Sequence, residues 1–173
     1  PHLVKGVVGL DPVTINARFL AFSRLAFRLW PDKPKMIRGA LGRPHHFPSH
    51  QSAFDFYRSK RAFSGIADKE LMDYVRAAHS ASDNGVDLRY SGAWEACVYR
   101  SPPNLWKCFE HIEKPVHILG GAHSYVIVPT VAERLKKLKQ INFQTIDAGH
   151  LMPLEKPAET AAFVTECISR DET

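Results

Sequence analysis

Short runs of apolar residues recur along the chain and end at turn residues. Three such runs cover residues 3–10, 116–119 and 143–146, and each contains Val, Ile, Leu or Phe. The first ends at Asp11-Pro12, and the other two end at glycine-containing turns. Runs of this length are typical of strands that are buried on both faces of a parallel sheet. The pattern therefore predicts three core strands.

The segments that follow two of these runs have helical periodicity. Pro129 suits the first turn of a helix, and apolar residues follow it at Val131, Leu135 and Leu138. A second amphipathic helix is predicted to begin at Pro157. Strands that alternate with helices predict an α/β fold with right-handed crossovers.

Residues 14–109 depart from this alternation. Ser49 is placed to cap a helix that runs to Phe63, and Asp68 is placed to cap another. The dipeptide Asn84-Gly85 predicts a turn before an alternating apolar segment. We therefore predict a mainly helical subdomain that lies outside the sheet.

The composition is that of a globular protein. The chain has 173 residues, of which 45% are hydrophobic and 24% are charged, and this is enough to build a compact core. The cysteines Cys97, Cys108 and Cys167 lack CxxC spacing, so we expect small buried residues in a reducing compartment. No signal-peptide pattern or bilayer-length apolar run is present, so we expect a cytoplasmic protein without a membrane span.

The positive charge of the chain raises the question of nucleic-acid binding. The net charge is +5, the isoelectric point is near 9.2, and basic residues cluster between Arg38 and Arg61. Acidic residues are interspersed after this cluster, and no nucleic-acid-binding motif accompanies it. We therefore expect a solvated basic surface and no nucleic-acid partner.

The residues with the clearest chemical meaning follow the third run. Residues 149–157 read GHLMPLEKP, which places His150 on a loop directly after a predicted core strand. The carboxyl edge of a parallel sheet is where ligand sites of α/β proteins lie. This segment resembles the histidine loop of the α/β-hydrolase family, in which Gly-His is followed by Pro and then by Glu-x-Pro. The resemblance implies that His150 is a catalytic general base, and the alternative is a loop histidine that binds backbone carbonyls.

The resemblance extends over most of the chain. Residues 1–12 are similar to the family's sixth strand and residues 114–121 to its seventh, so the segment between them corresponds to a cap or lid. The implied domains are a core strand at 1–13, a helical cap at 14–109, and core strands and helices with the histidine loop at 110–173.

The family's nucleophile elbow, usually Gly-x-Ser-x-Gly, precedes the sixth strand. No such motif occurs in the 173 residues. We therefore expect the C-terminal half of an α/β-hydrolase, with its nucleophile outside this chain and no activity of its own. The first strand would then be an exposed sheet edge that permits self-association.

A catalytic histidine also needs a carboxylate on its other ring nitrogen. The family's usual acid lies in a Gly-x-x-Asp segment after the seventh strand, but residues 120–124 read GGAHS and no carboxylate follows until Glu133. Some relatives place the acid after the sixth strand, where Asp11 stands, so we favour Asp11 as the partner of His150. Alternatively, Asp11 only caps a turn. Asp147 is the second candidate, but it is too near His150 in sequence to reach the far side of the ring.

Two residues after the second predicted strand have several interpretations. His123 and Ser124 fit ordinary turn residues, and they could also line the pocket or add an orienting hydrogen bond. Ser124 lacks the strand-to-helix elbow of a reactive serine, which argues against a nucleophile.

A second group of histidines comprises His45, His46 and His50. Pro48 interrupts the helix that a zinc pair would use, so we expect no metal site.

The resemblance implies hydrolysis of a small apolar carboxylic ester, or a similar acyl substrate, through a nucleophile-His-Asp triad without metal or organic cofactor. The alternatives are an epoxide hydrolase or haloalkane dehalogenase with an Asp nucleophile, a relative that cleaves carbon-carbon bonds, or a truncated or degenerate hydrolase without activity.

Overall fold

The computed structural model describes residues 3–15 and 17–172, and these form two compact units. The sheet unit contains the described residues up to 17 and from 104 onward, and the insert unit contains residues 18–103. The elements in chain order are β1 (Val7–Leu10), α1 (Ala17–Leu29), α2 (Lys35–Leu41), β2 (His46–Phe47), α3 (His50–Arg58), a 3₁₀ turn (Arg61–Phe63), α4 (Asp68–Ala78), β3 (His79–Ser82), β4 (Gly85–Leu88), α5 (Gly92–Arg100), α6 (Leu105–His111), β5 (Val116–Gly121), α7 (Pro129–Leu135), β6 (Ile141–Ile146), α8 (Met152–Glu155) and α9 (Pro157–Glu172).

The sheet unit is built on a parallel sheet with strand order β1-β5-β6. This order confirms the prediction that the three apolar runs are neighbouring parallel strands, although their ends differ from the predicted ones. Residues 3–6 lie outside β1, because its pairing with β5 begins at Val7 opposite Val116. β6 begins earlier than predicted, since Ile141 already pairs with Val116. Pairing with a neighbour sets these ends, and the apolar pattern of one strand does not contain that information.

The central strand β5 separates two hydrophobic clusters. All of its residues are buried, and the side chains alternate between the two faces of the sheet. Val116 and Ile118 belong to a cluster with Trp106 from α6 and Leu135 from α7. Leu119 belongs to a second cluster, whose other buried members are Ala148, Met152, Phe163 and Cys167. Helices therefore cover both faces of the sheet, as in an α/β fold.

Both predicted proline-led helices are present in the sheet unit. Pro129 occupies the first turn of α7, and Pro157 begins α9. α7 ends at Leu135, earlier than predicted, but Leu138 still packs against the same cluster. Within the described residues, no helix is long and apolar enough to cross a membrane.

The insert unit combines helices with a small antiparallel sheet of order β2-β4-β3. Ser49 caps α3 by accepting a hydrogen bond from the backbone amide of Ser52, as predicted. The predicted helix to Phe63 is too long, because α3 ends at Arg58 and is followed by a 3₁₀ turn. Asp68 is not an N-cap: it is the first residue of α4, and its carboxylate accepts a hydrogen bond of 2.5 Å from Arg58.

The predicted turn at Asn84-Gly85 joins β3 to β4. Gly85 has a φ of +147°, and a Cβ atom there would lie 2.2 Å from the Phe47 carbonyl oxygen. Glycine therefore permits both the backbone conformation and the close approach of β2. Val86 and Leu88 are buried, as the alternating pattern predicted.

The expectation of three buried cysteines is wrong for two of them. All three are free thiols, and Cys167 is buried, but Cys97 and Cys108 are exposed. In α6 the buried residues are Trp106 and Phe109. Helical spacing places Cys108 on the opposite face of the helix, where it is exposed.

Candidate active site

The residue after β1 carries the first functional side chain. Asp11 continues the strand pairing, because its backbone amide donates to the Leu119 carbonyl at 2.7 Å. Its φ of 47° lies in the left-handed region, and no other non-glycine residue in the described part of the chain has a positive φ. Such a conformation is costly for a side chain with a Cβ atom, although Asp tolerates it better than most residues, and it is found most often at functional sites.

His150 lies on the loop between β6 and α8, and the Glu155 side chain binds the backbone of this loop. The Glu155 carboxylate accepts hydrogen bonds from the backbone amide of Gly149 at 2.6 Å and from that of Leu151 at 3.1 Å. The amides on both sides of His150 are therefore bound to one side chain. This arrangement fixes the backbone from which the imidazole projects.

The structure brings the two predicted residues together at the carboxyl edge of the sheet. His150 Nδ1 lies 2.7 Å from Asp11 Oδ2. The Asp11 side chain has no exposed surface, whereas 30% of the His150 side chain is exposed. An ionised carboxylate can only accept, so Nδ1 carries the proton of this bond and Nε2 keeps its lone pair in the neutral imidazole. This is the tautomer that a general base requires.

Asp11 receives further hydrogen bonds from the last residue of β5 and from the turn that follows it. The Gly121 backbone amide donates to Oδ1 at 3.3 Å, and the Ser124 hydroxyl donates to Oδ2 at 2.5 Å. Burial of a carboxylate is tolerated only where hydrogen bonds replace its hydration. Ser124 lies in a turn, as predicted, and its hydroxyl is one of these donors.

The end of β5 and the histidine loop are in direct backbone contact. A Cβ atom at Gly121 would lie 2.4 Å from the carbonyl oxygen of Gly149 and 2.5 Å from that of Ala148. Only glycine leaves room for this approach. The contact places the loop beside the strand end that supports Asp11.

Asp147, the second candidate for the acid, binds a different histidine. Its carboxylate Oδ1 lies 2.7 Å from His123 Nε2. Both side chains of this pair are largely exposed, at 84% for Asp147 and 72% for His123.

In the insert unit, His46 binds Asp87 through Nδ1 at 2.7 Å. Among the described residues, no cluster of side chains is arranged to hold a metal ion.

Sequence reasoning missed two residues that contact the histidine loop. Tyr125 places its ring 5.5 Å from the His150 ring, measured between centroids, and it is 77% exposed. No sequence signal indicates this contact. The contact of Glu155 with the loop could have been predicted from the sequence. Glu155 lies one helical turn after Leu151 in the histidine segment, where a carboxylate reaches free backbone amides.

Comparison with known proteins finds a similar sequence and similar folds. The chain is 26% identical to the 3-hydroxybutyrate-oligomer hydrolase of Cupriavidus necator, and the match covers 90% of this chain and 58% of that protein. A peroxisomal α/β-hydrolase of Saccharomyces cerevisiae superimposes with a TM-score of 0.67 at 17% identity, covering 98% of this chain and 48% of the other. An esterase of M. tuberculosis gives a TM-score of 0.67 at 18% identity, with 98% and 56% covered. No protein-family profile matches the sequence.

Proposed function

We propose that this chain, which has the α/β-hydrolase fold, supplies the catalytic histidine and acid of a hydrolase that acts on carboxylic esters or similar acyl substrates. The observation that carries the proposal is the bond of 2.7 Å between His150 Nδ1 and the fully buried Asp11 carboxylate. The hydrolase and esterase names of the relatives support the reaction class.

His150 is the general base in this proposal. Its Nε2 removes the proton of the nucleophile as the nucleophile attacks the acyl carbon, and it later returns the proton to the leaving group. The imidazole becomes positively charged in between. Asp11 stabilises that charge and keeps the ring in the correct tautomer, and burial strengthens the effect because no water competes for the carboxylate.

The nucleophile is proposed to lie outside these 173 residues. The sequence contains no Gly-x-Ser-x-Gly motif, and the chain spans only 58% of the curated relative. Ser124 contacts the pair through a hydrogen bond, but its proton is directed to Asp11 and away from the base. In this proposal the insert unit is the cap of the enzyme.

The coding sequence upstream of Pro1 and one assay test the proposal. In-frame codons for Gly-x-Ser-x-Gly would support the esterase, and Asp at the centre would indicate an epoxide hydrolase or dehalogenase. The protein expressed with those codons should hydrolyse a short activated ester, and residues 1–173 alone should not. Hydrolysis by residues 1–173 that requires His150 would refute an external nucleophile, and a start codon directly before Pro1 would favour a protein without activity.

A further inference from the structure

We propose that Ser124 is a positioning residue for the pair formed by Asp11 and His150. Its hydroxyl donates to the same Asp11 oxygen that accepts from His150 Nδ1, at 2.5 Å and 2.7 Å respectively. Ser124 thereby sets the direction from which the carboxylate faces the imidazole. The inference deepens the proposed function and rests on it for its catalytic meaning.

The direction of the Ser124 hydrogen bond follows from its neighbours. The backbone amide of Val126 donates to the Ser124 hydroxyl oxygen at 2.9 Å. A hydroxyl has one proton to give, and the buried carboxylate of Asp11 can only accept. The proton of Ser124 therefore points to Asp11, and the hydroxyl links a fixed backbone amide to the carboxylate.

Asp11 needs such a link because its own side chain does not fix the carboxylate plane. The terminal torsion of an Asp side chain has a broad energy profile, so neighbouring donors determine its orientation. The Gly121 amide lies 3.3 Å from Oδ1, which is a long bond, whereas Ser124 lies 2.5 Å from Oδ2. Without Ser124, the imidazole of His150 would be the only partner of Oδ2 among the described residues.

Ser124 is itself held by the turn that follows β5. Its backbone amide donates to the Gly121 carbonyl at 3.0 Å, in addition to the bond from Val126 to its hydroxyl. The end of β5 and the turn after it therefore contact Asp11 at one point each, through the Gly121 amide and through Ser124. A neutral donor at this place stabilises the carboxylate without adding a second charge to the site.

The test compares Ser124→Ala with Ser124→Thr, which retains a hydroxyl, in residues 1–173. Ser169→Ala is the matched control, because Ser169 lies in the same unit and its hydroxyl donates to the Thr165 carbonyl at 3.1 Å on an exposed helix face. Nitrogen-15 and proton NMR of the His150 ring reports the proton on Nδ1. His150→Gln identifies that signal by removing the ring. Thermal unfolding of each variant shows that it is folded.

We expect Ser124→Ala to broaden or shift the Nδ1 proton signal, because the bond to Asp11 exchanges between orientations. Ser124→Thr should retain the signal, and Ser169→Ala should leave it unchanged. If Ser124→Ala does not fold, Ser124→Cys, whose thiol is a weaker donor, takes its place with the same expectation. A folded Ser124→Ala or Ser124→Cys variant with an unchanged signal would overturn the inference.

Activity then separates this inference from the proposed function. In the hydrolase that contains this chain, Ser124→Ala should lower kcat about tenfold with KM little changed, and Ser124→Thr should restore most of it. If no ester is hydrolysed, the proposed function fails, but the NMR comparison still decides whether Ser124 positions the pair. If the enzyme is active and Ser124→Ala has normal kcat, the positioning role is rejected.

Discussion

Two histidine–carboxylate pairs among the described residues of the sheet unit have the same length and opposite surroundings. His150 and Asp11 are 2.7 Å apart, and so are His123 and Asp147. Asp11 is fully buried, whereas Asp147 keeps 84% of its side chain exposed. Both pairs lie at the carboxyl ends of the strands, so neither distance nor position distinguishes them.

The difference lies in what surrounds each carboxylate. Asp11 accepts hydrogen bonds from Gly121 and Ser124 in addition to His150, and these partners fix its orientation. An exposed pair such as His123 and Asp147 is weakened by water and by the entropy cost of holding two side chains together. The proposed catalytic role is therefore assigned to the pair whose carboxylate is buried and held by further hydrogen bonds.

The two pairs should differ most in how much turnover is lost when each histidine is removed. In the proposed hydrolase that contains this chain, His150→Ala should lower kcat by about 10² to 10⁴-fold, which is the usual contribution of a general base. His123→Ala should change kcat by less than about threefold, as expected for a surface residue without a role in the chemistry. Ester hydrolysis under saturating substrate measures both, and equal losses would contradict the assignment.

Replacement of the acids tests the same contrast with a smaller effect. Asp11→Asn should lower kcat by about a hundredfold, because the amide no longer stabilises the imidazolium and can impose the wrong tautomer. Asp147→Asn should leave kcat nearly unchanged. The measurement is kcat and KM for each variant, and a larger loss in Asp147→Asn would reverse the roles of the two carboxylates.

The backbone contact beneath the buried pair can be tested through stability. Gly121→Ala should lower the free energy of unfolding by about 1–3 kcal/mol, because the added methyl would overlap the Gly149 carbonyl. Gly39→Ala in α2 is the control, since a Cβ atom there meets no atom within 4 Å. Helix propensity predicts that this control is stabilised by about 0.5–1 kcal/mol. Urea titration of both variants gives the values, and similar losses would show that the contact is unimportant.

The support of the histidine loop by Glu155 is expected to have a somewhat smaller effect. Glu155→Gln leaves one acceptor oxygen where the amides of Gly149 and Leu151 now use two. We expect a loss of about 1–2 kcal/mol in the free energy of unfolding. Glu159→Gln is the control, because Glu159 has only a loose exposed contact with Lys156 at 3.8 Å. A Glu155→Gln variant as stable as this control would contradict the loop-support role.

His79 in the insert unit is buried and has no carboxylate partner among the described residues. Burial lowers the pKa of His79 below its usual value of 6.5, and its Nδ1 binds the Val75 carbonyl at 2.8 Å. A base with a lowered pKa in the folded state gives stability that is present above the unfolded pKa and is lost as the pH falls. The melting temperature should therefore fall on acidification below about pH 6.5, at the unfolded pKa of histidine.

The variant His79→Gln should lose part of this pH dependence of the melting temperature. His111→Gln serves as the control, because His111 makes the same type of bond, to the Lys107 carbonyl at 2.9 Å, on an exposed surface. The departure from the unmodified chain should be larger in His79→Gln than in this variant. Identical profiles for the two variants would contradict the assignment to His79.

The sequence was sufficient for the parts of the fold that depend on periodicity. The three parallel strands and the helices that begin at Pro129 and Pro157 are present as predicted, because apolar runs and prolines act locally. Asp11 and His150 were also selected from the sequence, since each directly follows a core strand and parallel strands end at one edge. Their catalytic roles stay predictions.

The remaining features depend on contacts that no local pattern encodes. The short bond from Ser124 to Asp11 requires the turn after β5 to place a hydroxyl over a residue 113 positions away in sequence. The pairing of Asp147 with His123 likewise depends on two loops meeting. The exposure of Cys97 and Cys108 depends on how α5 and α6 are rotated, and cysteine, a small residue, fits either side of a helix.

The left-handed backbone of Asp11 has a consequence for the evolution of this position. Gly and Asn adopt a φ of 47° more easily than Asp, but neither carries the negative charge. Glu carries the charge on a longer side chain that lacks the local hydrogen bonds which make this conformation tolerable. In a library of all residues at position 11, selection for folding and selection for turnover will therefore rank the variants differently. Under the proposed role of Asp11, lineages released from selection for activity would be expected to lose this aspartate early.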